Sequence, residues 1–432
     1  MIRRFSLYGF LKNQRYFEPF IILFFRAQIG LSWTQIGFLI GFKAFCIIIM
    51  EIPSGAIADL FGRRRSMMLS FSACIAAFAI FGFSQQYWHL FIAMFFFAIG
   101  EAFRTGTHKA MIFTWLRREG RTDEKTKVYG YTRSWSKIGS ALSIVLAGAF
   151  VWLTKNYNYV FFFAIIPYVL DIINVMSYPR ELEGQPGTRV GIRDVVSHLG
   201  GCLRDAMKLR RLRRLIIESM SFEGVHKAVE DYLQPIIMSA ALLIPYMAGM
   251  DDIRRITPLI VAVYVILYLV SAFASRKSHL LSDRAGGEEK GSRLLWKMVF
   301  TIYITLIPLL FFGYYLEAVI GFILLSLIQN FWRPVLISRF DAYASETHGA
   351  TILSIESLAK SFSTMIVAPI LGVAVDFISD RQGPGGDFWP VAAIAAVFAL
   401  LMLLAPLKDK GNGTEALECA DVCMVDADDI DT

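Results

Sequence analysis

The chain places acidic and basic side chains inside long apolar stretches, where a charge is costly. They are Glu18, Arg104, Lys137, Glu223, Lys227, Glu230, Asp231, Arg333, Glu356 and Lys360. At bilayer depth a charge costs about 2.5–3.5 kcal/mol on insertion scales, so such groups tend to face a polar cavity and to mark the path of an ion or solute. A carboxyl group in apolar surroundings can take up and release a proton, and an Arg can grip a carboxylate or phosphate through two hydrogen bonds.

The stretches that hold these charges have the length of membrane-spanning helices. The chain is 56% hydrophobic, contains 36 Phe and is only 18% charged, which is too apolar for an ordinary soluble domain. A bilayer core needs about 20 apolar residues per helix. This rule predicts an all-α membrane protein with twelve spans, at roughly 9–30, 33–58, 65–84, 88–115, 128–153, 157–178, 212–240, 256–275, 295–313, 315–338, 349–377 and 388–406.

The loops between these spans alternate in positive charge. One set contains Arg63 to Arg65, Arg117 to Arg121, Arg180 to Arg214, Arg276 to Arg293, and Lys408 with Lys410. The positive-inside rule therefore predicts cytosolic termini in the cell inner (plasma) membrane, and the scattered charge argues against a nucleic-acid partner. No cleavable signal peptide is expected, because the first span holds charges and no small-residue cleavage site follows it. Trp33, Trp88 and Trp389 lie near predicted span ends and are expected to be interfacial anchors.

The chain divides into two halves that echo each other. We predict a six-helix bundle over 1–178, a cytosolic linker over 179–211, a second six-helix bundle over 212–407 and an acidic disordered tail over 408–432. Charges recur at corresponding spans of the two halves. The matched pairs are Glu18 with Glu223, Arg104 with Arg333, and Lys137 with Lys360.

Metal, cofactor and enzyme chemistry have little support. Cys419 and Cys423 lie in the acidic tail, where metal capture is conceivable, but their spacing matches no zinc pattern. No Gly-Lys-Ser/Thr loop suggests ATP use, and no nucleophile–base arrangement suggests an enzyme. We therefore expect no resident metal or cofactor.

One loop motif is specific. Between the second and third spans the chain reads Gly55-Ala-Ile-Ala-Asp-Leu-Phe-Gly-Arg-Arg-Arg65. Gly55 allows close helix approach, and Asp59 can accept hydrogen bonds from Arg side chains or from a nearby helix N-terminus. With twelve spans and a basic central linker, the chain resembles the major facilitator superfamily of transporters over nearly its whole length. Stretches such as Leu31–Gly37, Asp231–Pro235 and Ala350–Ser354 resemble a bacterial branch of unassigned substrate.

The resemblance implies roles for particular residues. The motif residues would form a latch that closes the cytosolic side; they are Gly55, Asp59, Gly62, Arg63 and Arg64. Since the first, fourth, seventh and tenth helices supply most of the cavity in this superfamily, Glu18 and Glu223 are expected to couple transport to protons. The residues expected to bind substrate are Arg104, Lys137, Trp135, Glu230, Arg333, Trp332 and Lys360. The spacings Glu101–Arg104 and Glu356–Lys360 also fit structural ion pairs.

These features predict a secondary active transporter that alternates between inward- and outward-open states. A small organic solute is the expected substrate, with a mild preference for an anionic or amphipathic one of the drug or metabolite efflux type, and the proton is the expected coupling ion. One alternative is proton-driven uptake of a small organic anion or sugar. Another is a transporter-shaped sensor or assembly scaffold that docks a partner through its acidic tail, in which case deleting the tail would remove the partner. We expect a monomer in the lipid bilayer.

Overall fold

The structure is a computed structural model, and the residues that it describes form helices joined by short loops. It describes residues 1–104, 107–121, 124–182, 201, 204, 207–208, 210–245, 249–277, 288–341, 349–382 and 386–404. Within these ranges some side chains, including those of residues 55–61, are not described. The predicted linker and acidic tail lie largely outside the described residues.

The helices of the first half run from α1 to α8. They are α1 (Ile2–Lys12), α2 (Ile21–Leu23, continued by a π-helix over Phe24–Gln28), α3 (Trp33–Phe61), α4 (Arg63–Phe83), α5 (Tyr87–Arg104), α6 (Thr107–Arg118), α7 (Lys125–Thr154) and α8 (Tyr159–Met176). A short 3₁₀ turn over Arg180–Leu182 follows. Gly62 separates α3 from α4 at φ 92°, a backbone conformation that favours glycine.

The second half contains α9 to α16. They are α9 (Arg210–Ser219, continued by a π-helix over Met220–Gly224), α10 (Val225–Glu230), α11 (Leu233–Leu243), α12 (Asp252–Lys277), α13 (Glu288–Phe311), α14 (Tyr315–Asp341), α15 (Gly349–Gln382) and α16 (Trp389–Leu404). Counting α1–α2, α5–α6 and α9–α11 as one pass each, the described elements make twelve passes in two bundles of six. The all-α prediction with twelve passes is confirmed.

Eight of the described helices are long and apolar enough to cross a membrane by themselves. The other four passes are the first, fourth, seventh and twelfth. The last of these, α16, is apolar but short. The first and seventh are interrupted within the described residues, and these two carry Glu18 and Glu223. The fourth carries Arg104, next to residues 105–106, which lie outside the described ones. The polar residues and the helix interruptions therefore occur together, as expected where irregular backbone lines a cavity.

Two prolines explain the longest interruptions. The predicted first span begins at residue 9, whereas the structure begins its first helix at Ile2 and breaks it between Lys12 and Ile21. Pro19 lies in this break, and a proline disfavours helical backbone at the residue before it. In the seventh pass α10 ends at Glu230, a few residues before Pro235. Pro235 lies in the first turn of α11 and lacks the N–H that would bond to the carbonyl of Asp231, which fits the start of a new helix at Leu233.

The two bundles meet along two pairs of helices. Among the described elements α3 and α15 share the most extensive contact, and α7 packs against α12. We call the side of the molecule at which α1 begins the terminal face, and the side holding the α2–α3 and α7–α8 loops the opposite face. At the opposite face Lys155 pairs with Asp251 at 3.0 Å, and the Arg254 guanidinium lies 5.7 Å from the ring of Trp152.

Trp33 departs from its predicted position at the membrane interface. It is only 4% exposed, and its ring packs against Tyr232 at 5.7 Å and Phe388 at 5.3 Å. Both partners belong to the second bundle. The residue therefore fills the contact between the bundles at the opposite face, whereas Trp88 is 72% exposed, as an anchor would be.

Candidate functional site

A polar cavity of about 220 Å³ lies between the two bundles, beside the breaks in the first and seventh passes. Five passes contribute its walls. The lining residues are Glu18, Lys137, Lys227, Glu230, Asp231, Gln234, Tyr264, Leu267, Tyr268, Ser271, Ser326, Gln329 and Asn330. Leu267 is the one apolar side chain in this set, so a solute inside meets hydrogen-bonding groups almost everywhere.

Gln234 joins the two breaks. Its Oε1 accepts a hydrogen bond from the backbone N–H of Ile22 at 2.9 Å, and its Nε2 donates to the carbonyl oxygen of Glu18 at 2.9 Å. Both backbone groups belong to the interrupted first pass, where intrahelical partners are missing. One side chain from the second bundle therefore stabilises the break in the first.

Three of the five charged groups in the cavity have partners within the structure. Lys227 Nζ lies 3.3 Å from Glu230 Oε2. Tyr268 donates to Glu18 Oε2 at 3.0 Å, and Arg15 lies 3.9 Å from the other carboxylate oxygen of Glu18. These contacts keep Glu18 at the boundary between the bundles, because Tyr268 comes from α12 and Arg15 from the first pass.

Lys137 and Asp231 are the other two charged groups. Among the described residues neither side chain is engaged in a hydrogen bond or an ion pair. Lys137 comes from the first bundle and Asp231 from the second. Lys227 and Lys43 attract Asp231, and Glu18 attracts Lys137, but only from beyond contact distance, so each of the two charges keeps room for a direct partner of the opposite sign.

The neutral groups lie on two helical stripes. Tyr264, Tyr268 and Ser271 follow the spacing of one face of α12, and Ser326, Gln329 and Asn330 follow that of one face of α14. Asn330 Nδ2 donates to Ser271 Oγ at 2.9 Å and joins the stripes. The two helices therefore present amide, hydroxyl and phenol groups to the cavity.

Glu223 and Arg333 form an ion pair behind the cavity wall. Arg333 Nη1 lies 2.5 Å from Glu223 Oε2, and Gln329 Nε2 donates to both carboxylate oxygens at 3.2 Å. Glu223 is 3% exposed and lies in the π-helix of the seventh pass. Neither charged residue belongs to the cavity lining, and Gln329 is the group that connects the pair to the cavity.

Arg104 is likewise enclosed within the first bundle. Its Nη2 lies 2.5 Å from Glu101 Oε1, and the same oxygen lies 2.7 Å from Arg15 Nη2. Glu101 and Arg104 therefore form the structural ion pair that their spacing in the sequence suggested. Arg104 is not among the residues that line the cavity.

The remaining residues expected to bind substrate lie elsewhere. Trp135 is 38% exposed on α7, where its ring packs against Phe10. Trp332 is 2% exposed, beside Phe222 and with the Arg339 guanidinium 5.6 Å from its ring. Lys360 lies on α15, where its carbonyl oxygen accepts from Thr364 Oγ1. Of the residues expected to bind substrate, the structure brings Lys137 and Glu230 to the cavity, together with Glu18.

The basic end of the loop motif ties the first bundle together at the terminal face. Arg63 Nη1 donates to Thr114 Oγ1 of α6 at 2.9 Å, and Arg64 Nη1 donates to the carbonyl oxygen of Tyr178 at 3.0 Å. The surroundings of Gly55 and the side chain of Asp59 lie outside what the structure describes. The latch therefore stays a prediction.

Sequence reasoning missed most of the neutral lining. Lys227 and Asp231 were visible as charges inside a predicted span, but Gln234, Tyr264 and Tyr268 were not assigned a role. The available signal was periodicity, since polar residues at i, i+3, i+4 or i+7 within an apolar span mark a single helix face. The same spacing points to Ser271, Ser326, Gln329 and Asn330.

Comparisons with known proteins identify the family and the fold. The sequence model of the Major Facilitator Superfamily matches residues 13–355. No curated protein sequence matches the chain. The fold is similar to a crystal structure of a mutant form of the nucleoside transporter NupG, with a TM-score of 0.75, 11% identity and coverage of 94% of this chain and 98% of that one.

Two further solved structures share the fold. One is a D-xylose-proton symporter, with a TM-score of 0.69, 14% identity and coverage of 95% of this chain and 98% of that one. The other is a POT family transporter in complex with a thioalcohol-conjugated peptide, with a TM-score of 0.68, 14% identity and coverage of 93% and 95%. The family model covers well over half of the sequence, and the chain therefore belongs to the major facilitator superfamily of membrane transporters.

Proposed function

We propose that this protein is a proton-coupled secondary transporter that carries a small zwitterionic solute through the cavity between its bundles. The observation that supports this proposal most directly is the lining itself, in which unpaired charges of opposite sign, Lys137 and Asp231, come from different bundles. If the two bundles rock against each other, a solute that contacts both of them has different affinities for the inward-open and outward-open states. That difference is what alternating access requires.

The size and polarity of the cavity narrow the substrate class. A volume of about 220 Å³ lies below the roughly 300–1,000 Å³ of typical ligand pockets, which suits a solute smaller than most drugs. The charged lining groups are three carboxylates and two ammonium groups. They favour a solute that carries both signs over the anionic or amphipathic solute expected from the sequence.

The same features favour uptake over drug efflux. Amphipathic compounds gain affinity by burying apolar surface, and Leu267 is the one apolar side chain in this lining. A small polar solute gains from hydrogen bonds that the tyrosines and amides of α12 and α14 offer. We therefore favour proton-driven symport into the cell, with the terminal face cytosolic as the loop charges predict.

Glu18 is the proposed proton-coupling residue. It lines the cavity, accepts a hydrogen bond from Tyr268 of the second bundle and lies within 4 Å of Arg15. Protonation would weaken its attraction to Arg15 and change how it holds α12, so the charge of Glu18 bears on contacts between the bundles. Glu223 is a second candidate for proton coupling. It accepts hydrogen bonds from Gln329, and Gln329 lines the cavity.

The test is solute uptake into proteoliposomes under an inwardly directed proton gradient. The probes are dialanine as the zwitterion, uridine and D-xylose as neutral solutes, lactate as the anion and tetraphenylphosphonium as the amphipathic cation. We expect dialanine uptake that rises with the gradient, and we expect Glu18→Gln to remove the dependence on the gradient. Glu317→Gln changes an exposed carboxylate on α14 and is the matched control.

Two results would contradict the proposal. Gradient-driven uptake of tetraphenylphosphonium or lactate without dialanine would reject the zwitterionic substrate. Proton dependence that survives in Glu18→Gln would remove that residue from coupling, and the parallel Glu223→Gln variant would then show whether the second carboxylate serves instead.

A further inference from the structure

The family loop motif has a counterpart near the C-terminal end of α15. Gly55-Ala-Ile-Ala-Asp59 lies near the C-terminal end of α3, and Gly372-Val-Ala-Val-Asp376 lies near the C-terminal end of α15. Each pentapeptide has a Gly, three small or β-branched apolar residues and an Asp, and a proline lies shortly before each Gly. Because α3 and α15 run antiparallel, the two Gly–Asp pairs lie toward opposite faces of the molecule.

Asp376 caps the start of α3. Its Oδ1 accepts from the backbone N–H of Trp33 at 3.0 Å, and its Oδ2 accepts from that of Thr34 at 2.7 Å. These are the first two residues of the helix, whose N–H groups have no intrahelical acceptor. A carboxylate at this position also interacts favourably with the positive end of the helix dipole.

The local cap of α3 completes the arrangement. Ser32 Oγ accepts from the N–H of Gln35 at 3.2 Å, and the Gln35 side chain accepts from the N–H of Ser32 at 2.9 Å. This capping box leaves the N–H groups of Trp33 and Thr34 for an acceptor from another helix. Asp376 supplies that acceptor from the other bundle.

Glycines allow the two helices to approach closely at this end. A Cβ at Gly372 would lie 2.3 Å from the carbonyl oxygen of Trp33, and one at Gly37 would lie 2.5 Å from that of Ala368. Farther along, Glu51 Oε2 accepts from Ser357 Oγ at 3.1 Å. These contacts all fit a single antiparallel alignment of α3 with α15. Extended to the terminal face, this alignment places residue 59 of α3 opposite the first residues of α15.

We propose that Gly372 and Asp376 form the latch of the opposite face, as the inverse of the Gly55–Asp59 latch expected at the terminal face. Asp376 is a positioning residue for the transport cycle: it holds the N-terminal end of α3 against α15 while the opposite face is closed. When the bundles rock and this face opens, the carboxylate leaves the two N–H groups. Asp59 then becomes the carboxylate that can cap the start of α15.

Double electron–electron resonance tests this proposal without knowledge of the substrate. The five native cysteines would be replaced. Spin labels at Gln85 and Tyr314 report the distance between bundles at the opposite face, and labels at Arg118 and Leu294 report it at the terminal face; all four side chains are exposed. A cap contributes about 1–2 kcal/mol, so Asp376→Ala is expected to shift the ratio of closed to open opposite face by about five- to thirtyfold.

Matched variants separate a latch from general damage to the fold. Asp380→Ala removes an exposed carboxylate one turn farther along α15 and should leave both distances unchanged. Asp376→Asn keeps one acceptor oxygen and should give a smaller shift in the same direction. Asp59→Ala should shift the population the other way, toward an open terminal face.

Unchanged opposite-face distances in Asp376→Ala, with the variant still monodisperse, would overturn the proposal. A change of the same sign in Asp59→Ala would also overturn it, because reciprocal latches must act in opposite directions. If Asp376→Ala does not fold, Asp376→Asn decides the matter by the same distances. These distance measurements do not depend on whether dialanine is the substrate, so a failure of this proposal is distinguishable from a failure of the proposed function.

Discussion

At the scale of single residues, the part of the chain that the structure describes contains intramembrane charges with an ion-pair partner and others without one. Arg15 of the first pass pairs with Glu101 of the fourth, and Glu223 of the seventh pairs with Arg333 of the tenth. The two bundles therefore use equivalent passes for an ion pair but exchange the positions of acid and base. The sequence could show which residues are charged, but pairing depends on where the helix breaks place them.

Removing one partner of the Glu223–Arg333 pair should be destabilising. Breaking a buried pair typically costs about 3–5 kcal/mol, and since Arg333 is 37% exposed we expect Glu223→Gln to cost about 1–3 kcal/mol. The melting temperature in detergent should fall accordingly. The double variant Glu223→Gln/Arg333→Met should recover part of the loss, and a melting temperature as low as or lower than that of the single variant would argue that the pair is not the cause.

The unpaired charges should determine substrate affinity. We expect Asp231→Asn to raise the KM for dialanine by about tenfold or more, because a hydrogen bond to a charged group is worth about 1.5–3 kcal/mol. Lys137→Met should act similarly, and both variants should keep the proton dependence that we propose for Glu18. A KM unchanged in both variants would mean that the solute binds through the neutral stripes.

At the scale of helices, the positions of the twelve passes were predictable and their interruptions were not. Hydropathy averages over about 20 residues, so it finds α3, α8 or α14 but smooths over a break of a few residues. Pro19 and Pro235 lie at the two breaks, but a proline alone did not reveal them, because other prolines, such as Pro167 and Pro369, lie inside continuous helices. The two π-helices had no comparable signal. Trp33 was misjudged because a tryptophan near a span end can also fill a contact between bundles.

Helix packing within the first bundle can be tested at two glycines of α7. A Cβ at Gly139 would lie 2.5 Å from the carbonyl oxygen of Phe10, whereas no atom lies within 4 Å of one at Gly130. Gly139→Ala should therefore lower the free energy of unfolding by about 1–3 kcal/mol. Gly130→Ala should raise it by about 0.5–1 kcal/mol, since alanine is the better helix former.

Thermal unfolding followed by tryptophan fluorescence in detergent would measure both glycine variants. The comparison is internal, because the same substitution is made on the same helix. Equal melting temperatures for the two variants would show that the close approach of α1 and α7 contributes little to stability.

At the scale of the whole molecule, the closed opposite face rests on several contacts between the bundles. The Asp376 cap, the Trp33 ring and the Lys155–Asp251 ion pair all join one bundle to the other. The superfamily and its two-bundle architecture followed from the sequence because the Gly55–Arg65 motif and the rhythm of spans are local. The cavity did not, since its lining brings together residues that are far apart in the chain, such as Glu18 and Asn330.

The Lys155–Asp251 contact should make closure depend on acidity. The hydrogen bond from Lys155, with a backbone bond from Arg254, lowers the pKa of Asp251 in its loop outside the helices. A carboxyl group whose pKa is depressed contributes fully above its ordinary value of about 3.9, and the contribution is lost as the pH falls through the depressed value. The distance between Gln85 and Tyr314 should therefore lengthen below about pH 4.

Two variants check the assignment of this pH effect. Asp251→Asn should remove this residue's share of the pH dependence of closure. Asp252→Asn is the control, because Asp252 pairs with Arg255 of its own bundle, and it should leave the pH dependence intact. High salt should also weaken closure in the wild type, because the ion pair is exposed and salt screens it. An identical acid response in Asp251→Asn and the wild type would place the effect at another group.

The π-helix over Met220–Gly224 also has a consequence for how such a protein can diversify. A π-turn contains one residue more than an α-turn, and each residue advances a helix by about 100° and 1.5 Å. Deleting Ser221 would therefore convert this turn into an α-turn and remove the surplus residue, with Lys227, Glu230 and Asp231 kept at nearly the same orientation. The π-turn is thus the place where this pass can lose one residue with the charged wall of the cavity preserved, whereas a deletion within an α-helical turn would rotate every residue beyond it by about 100°.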